Sequence, residues 1–457
     1  MRNCNLKDKK LITDFTTGNV TKQLVTFATP LFLSSLLQIV YNMVDMIIVG
    51  QKLGKVGLSA VSVGGDVSSF LTLVAMGFSN AGQVIISQYI GSGQRDKISR
   101  FIGTMLCFLM SCAVTISVVC LALRRPILSV MNTPPEAFEE AVNYATICMI
   151  GMVFIYGYNI MSAVLRGMGD SMRPFIFIGI ASVSNVVLDI LFVIVLGLGS
   201  GGAALATVIS QGFSFISCSL YVYRNRTRYD LTLTANELIG IDRGMLINLI
   251  KLGVPMAIKF GAVHLSKLFV NAYVNSYGVA VSAFAGIANK INSIINMLSN
   301  AFNTSGASMV GQNIGAGKFE RVGQVMRSVF SITVSIAVVF SILIVLFPER
   351  IYGLFTGDPE VLEIGLKYVP IAVLAFFSSS ARSGMNALIN GSGNYKVNFA
   401  TAILDGIILR IGLALLFGLG LGMKHYGFWL GDVLTGFTPF WIGIVFYYSG
   451  AWKKRSV

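Results

Sequence analysis

Only 12 % of the 457 residues carry a charge, and only two are histidine, His264 and His425. A soluble domain usually carries about twice that charged fraction. No HExxH, CxxC, GxxxxGK[ST] or GxSxG occurs, so no metalloprotease, thiol-redox, phosphate-binding or serine-hydrolase signature is present. Without a His/Asp/Glu cluster or an activated nucleophile, no enzyme site emerges and no cofactor or resident metal is expected. The six cysteines, Cys4, Cys107, Cys112, Cys120, Cys148 and Cys218, follow no pairing pattern, and five lie in apolar runs. They read as small buried hydrophobes. The polar start MRNCNLKDKK is not expected to be a cleavable leader; the first apolar run, from Leu24, is expected to do the targeting itself.

Apolar residues, at 54 %, fill what charge leaves. Residues 102–123 and 328–348 contain no charged residue at all. A run of about 20 apolar residues spans the hydrocarbon core as a helix. The chain therefore reads as an all-α polytopic membrane protein. Twelve spans are predicted, at 23–49, 57–86, 101–123, 139–164, 174–197, 202–223, 246–274, 280–310, 326–347, 364–389, 397–421 and 427–448. The net charge of +14 sits mainly in the short connections. That is the pattern of cytoplasmic loops and not of a nucleic-acid surface. With the N-terminus inside, cytoplasmic segments hold 21 Lys and Arg against 6 outside, so both termini are expected in the cytoplasm.

The two halves repeat each other. SQYIGSGQRDKI at 87–98 answers GQNIGAGKFERV at 311–322, PPEAFEEAVNYA at 134–145 answers DPEVLEIGLKYV at 358–369, and AVLRGMGD at 163–170 answers ALINGSGN at 387–394. All three pairs are offset by 224 residues, and Pro30 answers Pro255 at 225. Matches in one order at one spacing indicate duplication. Each half has an even number of spans, so the halves run in the same orientation, as parallel repeats about an axis along the membrane normal. The expected organisation is a cytoplasmic tail at 1–22, a six-helix bundle at 23–223, a cytoplasmic linker at 224–245, a second six-helix bundle at 246–448 and a basic tail at 449–457. This is a transporter architecture, with a small-molecule substrate expected between the halves, lipid around them, and a monomer as the unit.

A charge at the bilayer centre costs at least about 2.5–3.5 kcal/mol and by default marks function. Asp189 lies near the middle of SNVVLDILFVIV, with Asn185 one turn earlier on the same face. Asp45 lies in VYNMVDMIIVG, with Asn42 one turn before it. No basic residue of the first six spans lies at similar depth. A carboxylate withdrawn from bulk water is stabilised by a proton, or by a hard cation when oxygen ligands stand beside it. Asp66 lies nearer an interface. The second half is richer in bases: Lys259, His264, Lys267, Lys290, Lys367, Arg382 and Arg410, with Asp405 and Asp432. Asp405 and Arg410 are five apart, so they pair with each other or with Lys290. Lys259 and Lys267, eight apart and close to one face, either snorkel or line a wet cavity with His264. Pro30 and Pro255 sit inside the first and seventh spans as static kinks or hinges.

The motifs Pro30, YNMVDMIIVG (41–50), QYIGSGQRDK (88–97), LRGMGDSMRP (165–174), SNVVLDILF (184–192) and GGAALAT (201–207) resemble the multidrug and toxic compound extrusion (MATE) family. The likeness covers about residues 18–450 and is greatest to its DinF-like prokaryotic branch. It implies a MATE/MOP-type fold of two bundles with pseudo-two-fold symmetry. It implies export of organic, often cationic, compounds against inward H⁺ or Na⁺ across a prokaryotic inner membrane. It also implies a cation site at Asp45, Asn185, Asp189 and Thr207, with Ser162 nearest to a further helix-four ligand. Spans seven and ten, where some members carry acids, here carry Lys259, His264, Lys267 and Arg382 instead. The alternative function is a flippase for lipid-linked oligosaccharide or a related lipid precursor.

Overall fold

The computed structural model describes residues 10–453. Arg2, Lys7, Lys9, Lys454 and Arg455, which entered the orientation count, and Cys4 of the cysteine argument lie outside them. Sixteen α-helices account for most of the described residues, and no strand occurs among these. The first is α1 (Val20–Gly91), 72 residues long. At 1.5 Å per residue it far exceeds the roughly 30 Å hydrocarbon core. Its backbone leaves helical geometry at Gly54 (φ 62°), between the first two predicted spans. It is followed by α2 (Asp96–Val130), α3 (Phe138–Ile150), α4 (Met152–Gly167), α5 (Met172–Asp189), α6 (Gly199–Arg224), α7 (Ala235–Ile239) and α8 (Arg243–Asn275). The rest are α9 (Val279–Gly315), α10 (Phe319–Leu346), α11 (Pro348–Gly353), α12 (Pro359–Gly391), α13 (Tyr395–Ile403), α14 (Leu409–Leu415), α15 (Lys424–Thr435) and α16 (Thr438–Tyr448).

Among the described residues, nine helices are long and apolar enough to cross a membrane, and a tenth is the pair α3–α4, bent by 47°. The remaining two predicted spans are the second part of α1 and α9. The latter is diluted by Lys290 and a series of asparagines from Asn289 to Asn313. Faces such as Val114, Val118 and Val119 on α2, or Val338, Val339 and Ile342 on α10, are apolar and exposed. Turned to lipid, they need no further cover.

The described chain divides into two compact units. One comprises residues 10–14 and Thr29–Gly253, the other Phe15–Ala28 and Val254 onward. Pro30 and Pro255 each follow a division point by one residue, and neither interrupts its helix. In the first unit, Val49, Val61, Tyr144, Val193 and Ala204 form one apolar cluster, and Ala60, Leu128, Ala145 and Met149 another. In the second unit, Phe284, Tyr368, Phe376, Phe428 and Trp429 pack together.

The repeated glycines have a shared physical cause. Gly169 and Gly393, 224 apart, have φ of 82° and 70° and close their helices in the left-handed conformation that glycine adopts freely. Two residues earlier, Gly167 and Gly391 allow close helix approach. A Cβ on Gly167 would stand 2.9 Å from the Gln83 carbonyl oxygen, and one on Gly391 would stand 2.6 Å from that of Ala307. Gln83 and Ala307 are themselves 224 apart, so the duplication persists in the packing. Gly391→Ala is expected to destabilise the protein by about 1–3 kcal/mol, because the rigid partner backbone must shift. Gly412→Ala, with open space around the new methyl, is expected to be neutral or to stabilise by up to ~1 kcal/mol. Thermal unfolding in detergent would compare them, and equal behaviour of the two variants would refute the packing argument.

The predicted linker is folded. Thr234 and Glu237 form a capping box at the start of α7. Asp242 accepts from Met245 N–H at 3.0 Å, and its own N–H donates to Thr104 Oγ1 of α2 at 3.1 Å. Asp230 pairs with Lys10 at 2.9 Å and with Arg95. Partial burial raises the Asp230 carboxyl, but these two hydrogen-bonding cations outweigh it and hold the group below the usual carboxylate range.

Candidate functional site

In the first unit, α5 passes into a π-helical stretch at Ile190–Val195, directly after Asp189. The N–H of Leu196 reaches back five residues to the carbonyl of Leu191 at 2.9 Å. Such wide turns are frequent at functional sites. Asp189 is fully buried and Asn185 is 2 % exposed. With its amide oriented to satisfy both neighbours, Asn185 donates to Asp189 Oδ2 at 3.3 Å and accepts from the Thr207 backbone N–H at 3.3 Å. Asp45, on α1, is 7 % exposed and stands within electrostatic reach of Asp189.

Each of these carboxylates keeps one buried oxygen, Oδ1, without a hydrogen-bond donor. Among the described residues, neither acid forms a salt bridge; the ion pairs of this unit lie elsewhere, at Asp230, Asp242, Glu139 and Asp170. A small cavity beside them is lined by Tyr41, Ser182, Asn185, Thr207, Ser210 and Gln211, with Ile178 and Ala181 as apolar wall. Tyr41 also hydrogen-bonds Gln211 and lies within reach of both carboxylate charges. Carboxylate, amide and hydroxyl oxygens are hard donors, suited to H⁺ or Na⁺ and poorly suited to a soft metal. No group of three or more His, Cys, Asp or Glu able to hold a metal occurs among the described residues.

The family resemblance implied one site at Asp45, Asn185, Asp189 and Thr207, and the structure brings these four to one region of the first unit. It does not bring Asn42, which is exposed. Ser162 is buried but accepts from Arg166 Nη1 and is not among the cavity residues. Tyr41, Ser182 and Gln211 were missed. The signal was there: each is three or four residues from Asp45, Asn185 or Thr207, and so shares its face.

The second unit holds a charged cluster of a different kind. Arg410 is 1 % exposed and donates to Asp405 Oδ1 at 2.9 Å, to the Asp405 carbonyl at 3.2 Å and to Asp432 Oδ1. The expected pairing of Asp405 with Arg410 is thus present, joined by Asp432 from α15. Lys290, the alternative partner, is exposed and in no ion pair among the described residues. Asp405 is the second residue of the π-helical stretch Leu404–Ile408, and a Cβ on Gly406 would stand 2.7 Å from that of Ala262 on α8. Lys259 Nζ donates to Asn386 Oδ1 at 2.6 Å. Arg382 is half-buried, whereas Lys267 and His264 are exposed. Lys367 pairs with Glu363 at 2.7 Å on an exposed turn, a contact worth little.

Comparison with known proteins places these features. The chain is 29 % identical over 444 residues to the probable multidrug resistance protein YpnP of Bacillus subtilis, covering 97 % of this chain and 98 % of that one. A MOP superfamily transporter from Pyrococcus furiosus superposes with a TM-score of 0.88 at 22 % identity, over 98 % of this chain and 99 % of the other. A multidrug resistance MATE family transporter in an outward-facing conformation superposes equally well, at 22 % identity over 97 % and 99 % of the two chains. The MatE family model matches residues 30–191 and 255–422, one stretch in each half of the sequence. An all-helical chain with membrane-length spans, a sequence duplication and this match in both halves belongs to the MATE family of multidrug efflux transporters.

Proposed function

We propose that the protein is a secondary active antiporter that exports a small amphipathic organic compound in exchange for inward H⁺ or Na⁺. The observation that carries this reading is the pair Asp45 and Asp189, out of bulk water in one unit, each with an unpartnered oxygen and, among the described residues, no ion-pair partner. A static core gains nothing from two such groups. A reversible cation site needs them, with Asn185, Thr207 and Tyr41 as neutral neighbours. The transported ion is cargo that enters from outside. Its binding shifts the population between outward-open and inward-open states by its differential affinity for them. Pro30 and Pro255 serve as hinges in this reading, supported by their position beside the points where α1 and α8 pass from one compact unit to the other. The excess of Lys and Arg in the expected inner connections supports a prokaryotic inner-membrane orientation with both termini cytoplasmic. A lipid-linked oligosaccharide flippase is not favoured, since the relatives are multidrug resistance proteins.

Proteoliposomes test the reading. A pH gradient and a Na⁺ gradient, imposed separately, should differ in their power to drive efflux of a fluorescent organic solute, and the effective one names the ion. Equal movement of solute with and without either gradient would refute coupling.

A further inference from the structure

Four bases and two acids meet in the second unit. Lys259 lies within electrostatic reach of Arg382 and Asp405, and Lys267 within reach of Arg382, Arg410, Asp405 and Asp432. Both carboxylates are engaged by Arg410, so two positive charges remain in excess. Among the described residues, Lys259 has only a neutral hydrogen-bond acceptor, Asn386, and neither Lys267 nor Arg382 makes a hydrogen bond or a salt bridge. Snorkelling does not account for Lys259. It stands sixteen residues from either end of the 33-residue α8, about 24 Å at 1.5 Å per residue, far beyond a four-carbon side chain. Arg382 and Lys259 are partly exposed and Lys267 is exposed, so a solute can reach them. Bases held at membrane depth without counter-charge are stabilised by an anion.

We propose that Lys259, Lys267 and Arg382 form a binding site for the anionic group, a carboxylate, sulfonate or phosphate, of an organic ligand. Arg382 supplies a planar fork that binds two oxygens at once, and the lysines supply point charges. The two lysines are eight residues apart on α8, about 12 Å along the axis, so the site suits an elongated anion or one with two charged groups. Arg410 is engaged by Asp405 and Asp432 and is not counted among the anion ligands. This deepens the exporter reading and rests on it only in making the ligand a cargo. Two sources share the chemistry, a free organic anion and the headgroup of an anionic lipid.

The test is equilibrium binding by fluorescence anisotropy, with no ion gradient, on the full-length protein in phosphatidylcholine nanodiscs. The probes are carboxyfluorescein as the anion and rhodamine 6G as the cation. Carboxyfluorescein is expected to bind at least about tenfold tighter than rhodamine 6G, a difference of about 1.4 kcal/mol. Lys267→Gln and Arg382→Gln should each abolish that preference. Arg382→Lys should retain most of it, and Lys367→Gln, which removes the same charge outside the cluster, should leave the carboxyfluorescein Kd unchanged. Lys267 is exposed, so its variant is expected to fold even if Arg382→Gln does not. Competition by phosphatidylglycerol added to the nanodiscs would assign the site to a lipid headgroup, and its absence to a free organic anion. Preference of the wild type for rhodamine 6G, or wild-type carboxyfluorescein binding by Lys267→Gln, would overturn the proposal. Because no gradient is applied, such a result is separable from a failure of ion coupling.

Discussion

Asp189→Asn is expected to reduce gradient-driven efflux to the level of empty liposomes while leaving the protein folded and inserted. The replacement keeps the shape and one acceptor oxygen, so the hydrogen bond from Asn185, 3.3 Å in the parent, survives. What disappears is the charge that binds the ion. The parent carboxylate is fully buried with one oxygen unpartnered, and an uncompensated buried charge destabilises. The variant should therefore be at least as thermostable as the parent. That separates a functional role from a structural one, because loss of a structural ion pair lowers stability. A second readout names the ion without transport. If Na⁺ binds the native protein, saturating Na⁺ stabilises it by mass action, by about 2.7 kcal/mol at a hundred times Kd. The variant should show no such shift. Parent-like efflux in Asp189→Asn would end the ion-site reading.

The other large effect is structural. Arg410→Met is expected to destabilise the second unit by about 3–5 kcal/mol, because it leaves Asp405 and Asp432 without their cation. Asp405 is 1 % exposed, and its Oδ2 already lacks a partner, so little water is available to take the guanidinium's place. Gel filtration and thermal unfolding should show loss of monodisperse protein. The triple variant Arg410→Met, Asp405→Asn, Asp432→Asn should recover much of the stability, since an apolar or neutral replacement of a whole buried triad is often tolerated where removal of one member is not. A single variant as stable as the parent would mean that the triad contributes nothing to folding.

The two experiments probe unlike uses of charge. In the first unit, Asp45 and Asp189 form no ion pair among the described residues, which suits groups that must gain and lose a cation. In the second, an arginine locks two acids from α15 and the stretch before α14, and the remaining bases face accessible space. Duplication made the two halves alike in helix ends and close glycine contacts, as Gly167 and Gly391 show, yet their ionisable residues have diverged.

The membrane class, the spans and the duplication followed from the sequence by itself, because a hydrocarbon layer requires about 20 uninterrupted apolar residues per crossing whatever the tertiary arrangement. Asp45, Asn185 and Asp189 were legible for the same reason: a carboxylate in such a run is conspicuous, and helical periodicity names its nearest neighbours. Periodicity reaches only along one helix. That Asp432 would complete the Arg410 pair from 22 residues away on another helix, that Lys290 would stand apart from it, that Ser162 would serve Arg166 instead of the carboxylates, and that the linker at 224–245 would hydrogen-bond to α2 were settled by helix packing alone. Those contacts depend on which faces meet across space, and no local spacing encodes that.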